Sequence, residues 1–303
     1  MLTLAAGGLA PLKSTQVAME SEDLEISVHR VSVTYRFRNR TDHDIDATVG
    51  FPLPPIHGGD LNFTPIRLPS KDPVNFVNFK VTVDGAPVKT EVDVRALFKD
   101  RDVTARLRSF GLSASVVTVQ NGKSLARLTP AQRAALKKGE LIDCEEGSTA
   151  ECYATWESRI QYHWAQRFPA GRTVTVQHTY EPVVGGSYIV GSMDGKSNIS
   201  PFCGGASGLA AIAGFKKRHP GKNDDEQVLW ENRINYILTT ANNWSGPIGT
   251  FRLSIATDSP EDLVFTCFPG LKRAAPTRYQ LERSGFRPDR EFDVLILTSK
   301  RLE

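Results

Sequence analysis

The chain has 303 residues, 40% of them hydrophobic and 23% charged, an ordinary globular composition that excludes wholesale disorder. Its 37 basic and 34 acidic side chains leave a net charge of +3, too weak a field to argue for nucleic acid. No apolar run approaches the roughly 18–20 residues of a membrane-spanning helix.

The opening MLTLAAGGLAPLKST has no positively charged leader and its apolar stretch is broken by glycine, so it is not an intact signal peptide. It reads either as a mature start behind an initiator Met or as the start of a cytosolic protein. Period-two alternation then sets in. In HRVSVTYRFRN, Val31, Val33, Tyr35 and Phe37 face one way and Arg30, Ser32, Thr34, Arg36 and Arg38 the other, a half-buried strand. A turn cluster at 39–44 leads to a second alternating run, Ile45, Ala47, Val49 and Phe51. The pair reads as a hairpin with one wet face, ended by FPLPPIHGG because proline cannot donate to a ladder. After a loop at about 55–74, FVNFKVTVDGAPVKTEVDV reads as two short strands about an Asp84-Gly85 turn.

The period changes in the middle. Leu97, Val103, Leu107 and Phe110 have helical spacing over 96–110. Over 129–139, Thr129 is an N-cap, Pro130 the first helical residue, Lys137 and Lys138 the last turn and Gly139 the stop. Strands resume in YATWESRIQYHWAQRFPAGRTVTVQHTY. There Ala154, Trp156, Ser158, Ile160, Tyr162 and Trp164 share one face, and Thr155, Glu157, Arg159, Gln161 and His163 the other. After the FPAG turn, Val174, Val176, His178 and Tyr180 oppose Thr173, Thr175, Gln177 and Thr179, a second long hairpin. Beyond residue 183 come glycine-rich loops, a short helix at about 208–218 and strands in WENRINYI, GTFRLSIATD, EDLVFTCF and REFDVLILTSK. The sum is a mainly β fold, an antiparallel β-sandwich-like architecture with a helical insertion at about 96–140. It divides into two packed β domains, a sandwich-like 1–182 with the insertion and a second β-rich 183–303.

Four cysteines permit three pairings. The economical one joins Cys144 to Cys152 across a polar loop and Cys203 to Cys267 over a long distance; the alternative is four buried thiols in a reducing compartment. No CxxC is present and the six histidines do not cluster, so no metal site is expected, and no cofactor motif appears. Trp156 and Trp164, with Tyr162, could stack on sugar rings or a partner, and the same pattern describes the inward face of a sandwich. Trp244, in ANNWSGP, is a turn residue able to bind a ligand or to fold back on the core. Glu157, Arg159 and His163 on one strand face could do acid–base work or form a solvated charge pair. Asp143, Glu145, Glu146 and Glu151 crowd the first cysteine loop, where paired carboxylates could hydrolyse a glycosidic bond or bind calcium, though no EF-hand spacing is present. There is no GxSxG, and Cys203 could be a nucleophile only if reduced, with His178 or His219 as its base.

The segments MESEDLEIS, VTYRFRNRTDHDIDATVGFPLP, FPAGRTVTVQHTYEPVVGGSY, NYILTTANNWSGPIGTF and FRPDREFDVLIL resemble, in order and over nearly the whole chain, an uncharacterised proteobacterial family known as domain of unknown function 4424. Its members carry signal peptides, so the resemblance implies export to the periplasm; it implies no activity and no catalytic residues. Val33–Pro54 and Pro169–Tyr180 have a weaker likeness to the vault/inter-alpha-trypsin N-terminal domain, a β-sandwich used in interactions. The expectation is a periplasmic, non-catalytic protein that binds an envelope glycan or a protein partner through Trp244, Trp156, Trp164 and Arg159. One alternative is a glycoside hydrolase-like enzyme using carboxylates of 143–157. Another is a structural subunit of an envelope complex.

Overall fold

Strands Val31–Asn39 and Ile45–Pro52 form where the alternation places them, but they do not pair with each other. The computed structural model describes residues 1–5, 8–63, 66–70, 72–121, 123–144, 152–189, 193–220 and 228–300. Among these, the first strand lies in an eight-stranded sheet and the second in a seven-stranded one. The second expected hairpin divides in the same way: Glu157–Phe168 belongs to the seven-stranded sheet and Thr173–Tyr180 to the eight-stranded one. Both hairpins are therefore corrected to arches, in which the chain passes from one layer to the other. The reason is geometric. Alternation fixes which side chains face the core; it does not say whether the next strand lies beside the first or opposite it.

The two arches nest. Ile45–Pro52 pairs antiparallel with Glu157–Phe168, and Val31–Asn39 with Thr173–Tyr180. Their bends are tied by Asn39, whose side chain is wholly buried. Its amide nitrogen donates to the carbonyls of His43 at 2.8 Å and Phe168 at 2.9 Å. Its oxygen accepts from the backbone N–H of Thr41 at 2.9 Å and from the Thr41 hydroxyl at 2.8 Å. Beside it, Asp44 pairs with Arg167 and accepts from the N–H of Ala170 at 2.7 Å.

The eight-stranded sheet also contains Val17–Ile26, Lys80–Val83, Ala86–Val88, Ile248–Ala256 and Arg278–Phe286. The Asp84-Gly85 turn has φ of 48° and 84°, as a two-residue hairpin turn requires. Val17–Ile26 runs parallel to Ile248–Ala256, so the sheet is not wholly antiparallel. This pair also joins the two sides of the division expected at residue 182, and the main core runs from Val17 to Ile296. The expected boundary thus passes through the eight-stranded sheet, whose parallel neighbours need a long crossover, while the seven-stranded sheet lies wholly before it. The seven-stranded sheet covers one part of the inner face through Phe51 and Phe168. A six-stranded sheet, which includes Leu229–Tyr236 and Phe292–Thr298, covers another through Tyr236.

The helical insertion begins later than expected. Leu97 is the next-to-last residue of strand Glu91–Phe98, which turns back through the left-handed pair Lys99 and Asp100. Helices then occupy Thr104–Ser109, Val116–Asn121 and Pro130–Lys138. The last has the expected Thr129 cap, with a reciprocal bond to Gln132. The insertion contributes to the main core rather than lying on its surface: Leu107, Val117 and Leu136 are wholly buried. It docks through Ala114, whose carbonyl accepts from the Trp156 indole at 3.0 Å and from the Ser158 hydroxyl at 2.8 Å. A smaller core lies between helix Gly205–Arg218 and the six-stranded sheet. Disulfides join Cys144 to Cys152 and Cys203 to Cys267. No helix among the described residues is long and apolar enough to cross a membrane.

Asn39→Ala should lower unfolding free energy by about 2–4 kcal/mol, because a wholly buried side chain that makes four hydrogen bonds is lost. Asn39→Asp should cost at least as much, since it keeps the acceptor and loses both donors. Urea unfolding of the two variants checks this; a change within 0.5 kcal/mol, roughly the range of ordinary surface substitutions, would show that the clasp is dispensable.

Candidate functional site

The site begins with an irregularity in strand Val17–Ile26. Its register against Val31–Asn39 shifts between Met19 and Ser21. Before the shift, Val17 and Met19 point inward; after it, Glu22, Leu24 and Ile26 do. A bulge adds one residue to one strand and so exchanges its faces. Gly249 permits the close approach there, since a Cβ at that position would lie 2.4 Å from the carbonyl oxygen of Glu20. The consequence is a carboxyl group in the core.

Glu22 is 1% exposed and lies in register between Tyr35 and Phe251. The Tyr236 hydroxyl donates to its Oε1 at 3.0 Å. With that proton committed, the Tyr35 hydroxyl donates to the Tyr236 oxygen at 2.7 Å. Burial pushes the Glu22 carboxyl up to about 8, against the Tyr236 hydrogen bond and with a smaller contribution from the charge of Asp23. His178 lies on the same sheet face, 1% exposed, with its ring centroid 4.2 Å from that of Phe51 and 5.3 Å from that of Tyr35. Burial pushes its imidazole down to about 3, so it is neutral. Among the described residues neither ring nitrogen has a hydrogen-bond partner, and the buried hydroxyl of Tyr180 lacks one too. Buried polar atoms are nearly always paired, so such a group of orphans needs an explanation.

All of these groups except Tyr180 line a cavity of about 480 Å³ bounded by all three large sheets. Glu22, Tyr35, His178 and Tyr236 form its polar end; Phe37, Phe51, Trp164 and Trp244 are among its walls. Asp100, Asp102 and Arg159 are exposed and mark its mouth, beside the half-buried Asp93 and Arg95. A smaller cavity of about 240 Å³ shares Leu53 and Pro55 with the first and contains Tyr180 and Arg233.

Three of the four binding candidates converge on the larger cavity. Trp164 is buried in its wall, and its indole N–H donates to Gln166 at 3.3 Å. Trp244 is half-buried, folded back against Phe37 at 4.2 Å and Phe168 at 5.9 Å between ring centroids. Arg159 stands at the mouth. Trp156 is elsewhere, wholly buried under the helical insertion. Of the acid–base candidates, Glu157 accepts from Arg159 at 2.5 Å and approaches His57 at 3.6 Å. His163 pairs in register with Glu91 and does not line the cavity. Asp143 is exposed, and the Tyr153 hydroxyl and the N–H of Cys144 hold its carboxyl below the usual range. Glu145, Glu146 and Glu151 lie outside the described residues. Cys203 is in a disulfide, so it offers no thiol nucleophile. Among the described residues no group of three or more His, Cys, Asp or Glu side chains is arranged to hold a metal.

Comparison with known families bears out the resemblance to domain of unknown function 4424. The profile of the family described as Domain of unknown function (DUF4424) matches residues 1–295. The chain belongs to this family. A search of curated proteins gives no match. Among solved structures, this DUF4424 chain is similar to a Legionella pneumophila protein described as a "putative nutrient binding protein". The TM-score is 0.49 at 15% identity, over 94% of this chain and 68% of that one. It is also similar to a two-domain M1 zinc metallopeptidase bound to L-tryptophan, with a TM-score of 0.31 at 8% identity. A third likeness is to the M1 zinc metallopeptidase of Deinococcus radiodurans, with a TM-score of 0.28 at 8% identity. In both metallopeptidases the match covers 94% of this chain and 43% of the other.

The two perturbed groups act oppositely on stability. Glu22 keeps its proton in the fold up to about 8 and loses it near 4.5 when unfolded, so its contribution is complete below 4.5 and declines as pH rises to 8. His178 stays neutral in the fold down to about 3 but protonates near 6.5 when unfolded, so its contribution is complete above 6.5 and declines as pH falls. Together they give a plateau between 4.5 and 6.5 with a limb on each side, each of at most about 1.4 kcal/mol per pH unit. Relative to the parent, Glu22→Gln should flatten the alkaline limb and His178→Phe the acid limb, as read by urea unfolding across the range. Limbs that persist unchanged in both variants would refute the assignment.

Proposed function

We propose that this DUF4424 chain is an exported, non-catalytic binding protein that takes a small ligand into the cavity between its sheets. The observation that carries the reading is that the buried imidazole of His178, with no hydrogen-bond partner among the described residues, lines an aromatic-walled cavity of about 480 Å³. That volume falls within the roughly 300–1,000 Å³ of small-molecule sites. Trp164 and Trp244 offer ring faces, and Glu22, Tyr236 and His178 offer polar anchors. For an envelope glycan, such a cavity suits a terminal unit rather than the length of a chain. Hydrolysis of a glycosidic bond ordinarily uses two carboxyl groups flanking it, whereas the polar end of the cavity has Glu22 alone. This favours binding over the hydrolase alternative.

A ligand entering the cavity should change indole emission, because two tryptophans line it, and should raise the melting temperature by mass action. In a screen of monosaccharides and small envelope metabolites, the binder should be recovered unchanged. Trp244→Ala should weaken it at least tenfold while the variant still unfolds cooperatively. Appearance of a product would favour the enzyme, and a response unaffected by Trp244→Ala would place the ligand elsewhere.

The two disulfides suit an oxidising compartment, and with the family resemblance they support periplasmic residence. Protein recovered from a periplasmic extract should take up no thiol alkylator before reduction and four equivalents after it. Recovery in the cytosol with alkylatable thiols would overturn the assignment to the periplasm.

A further inference from the structure

Resting on that reading of the cavity, we propose that its ligand is a small organic cation, an amine or quaternary ammonium, with its charged nitrogen held between Glu22 and the surrounding aromatic faces. The polar end of the cavity contains one ionisable acid and no base able to carry charge near neutrality, since His178 remains neutral. The Tyr236 hydroxyl occupies one oxygen of Glu22, Oε1, and the carboxyl lies at the wall of the cavity. The cavity that Glu22 lines is also lined by Tyr35, Phe37, Phe51, Tyr236 and Trp244, and the electron-rich face of an aromatic ring attracts a cation. The mouth repeats the sign. Its bases are already engaged, Arg95 with Asp93 at 3.2 Å and Arg159 with Glu157 at 2.5 Å, while Asp100 and Asp102 add negative charge. An anion would meet an acid at the bottom and acids at the entrance. A neutral ligand could use the rings, but would leave the buried carboxyl as one hydrogen-bonding group among several.

The proposal has a proton balance. In the empty cavity Glu22 is mostly protonated at neutral pH because nothing nearby compensates its charge. A cation that enters forms an ion pair with the carboxylate, and the carboxyl proton leaves to solvent. Of the other titratable groups at the cavity, the Met1 amine is pushed down by burial to about 6, so it is mostly neutral over the upper part of this range. Tyr35 and Tyr236 are pushed up by burial, as is Tyr180, and His178 is pushed down. Asp23 points to the opposite face, where Arg252 pairs with it at 2.9 Å. Affinity for a cation should therefore rise with pH until Glu22 is ionised.

The test uses the whole oxidised chain and matched probes: choline, its neutral tert-butyl analogue in which carbon replaces the quaternary nitrogen, and glucose. Indole emission and calorimetry should show choline binding at least tenfold tighter than the neutral analogue. Choline affinity should rise about tenfold per pH unit from about 6 to about 8 and level off above, with a proton released on binding at the lower end. Glu22→Gln should abolish both the preference and the pH dependence while the melting temperature is maintained. Equal or tighter binding of the neutral analogue or glucose would overturn the cation and leave the cavity as a ligand site. No response to any probe at millimolar concentration would overturn both.

Discussion

The fold depends on one constraint: two arched segments must cross between the same pair of layers at the same place. Asn39 enforces it. Its amide spans the bend of the first arch and the end of the last strand before the second bend, donating to the carbonyls of His43 and Phe168, the second in a buried bond. Once the bends are clasped, the strands on either side pair in both sheets at once. Phe37 and Phe168 then meet edge to face across the interior. The remaining strands extend these two ladders, and the parallel addition of Ile248–Ala256 brings the C-terminal part onto the same framework.

Sandwich cores are ordinarily filled by apolar side chains from both faces. This one departs from that rule where the bulge near Glu20 exchanges the strand faces. The exchange buries Leu24 and Ile26, which the core requires, and takes Glu22 with them. The hydroxyls of Tyr236 and Tyr35 form a short relay onto one of its oxygens, and the imidazole of His178 adds a polar group without a partner among the described residues. Desolvation is the dominant influence on both titratable groups, which is why a carboxyl and an imidazole on one sheet face are displaced in opposite directions and both remain uncharged. A cavity at the junction of three sheets accommodates these groups where continuous packing would leave them no room for a partner.

Much of this was legible in the chain itself. The inward positions of Val31, Val33, Phe37, Tyr162, Trp164 and His178 follow from alternation, and each is buried. The Thr129 cap and the pairing of the four cysteines were as expected. The candidate site was legible only in part. Trp164, Trp244 and Arg159 stood out by residue type, and all line the cavity. Glu22 did not stand out because acidic residues surround it in MESEDLEIS; its signal was phase, since it shares the period-two face of Leu24 and Ile26. Leu97 was misleading because a strand running straight into a tight turn can mimic helical spacing over a few residues.

The sequence by itself determined the strands, their apolar faces, the capped helix and the chemistry of the disulfides, because each is governed by neighbours a few residues away or by residue type. Tertiary structure alone decided that the hairpins are arches, that a parallel pair bridges the expected domain boundary, and that a glutamate lies under aromatic rings. The physical reason is that alternation reports the face a side chain takes and not what lies opposite that face. Partners across a core, the space left between them and the desolvation of a carboxyl are properties of packing among segments far apart in the chain.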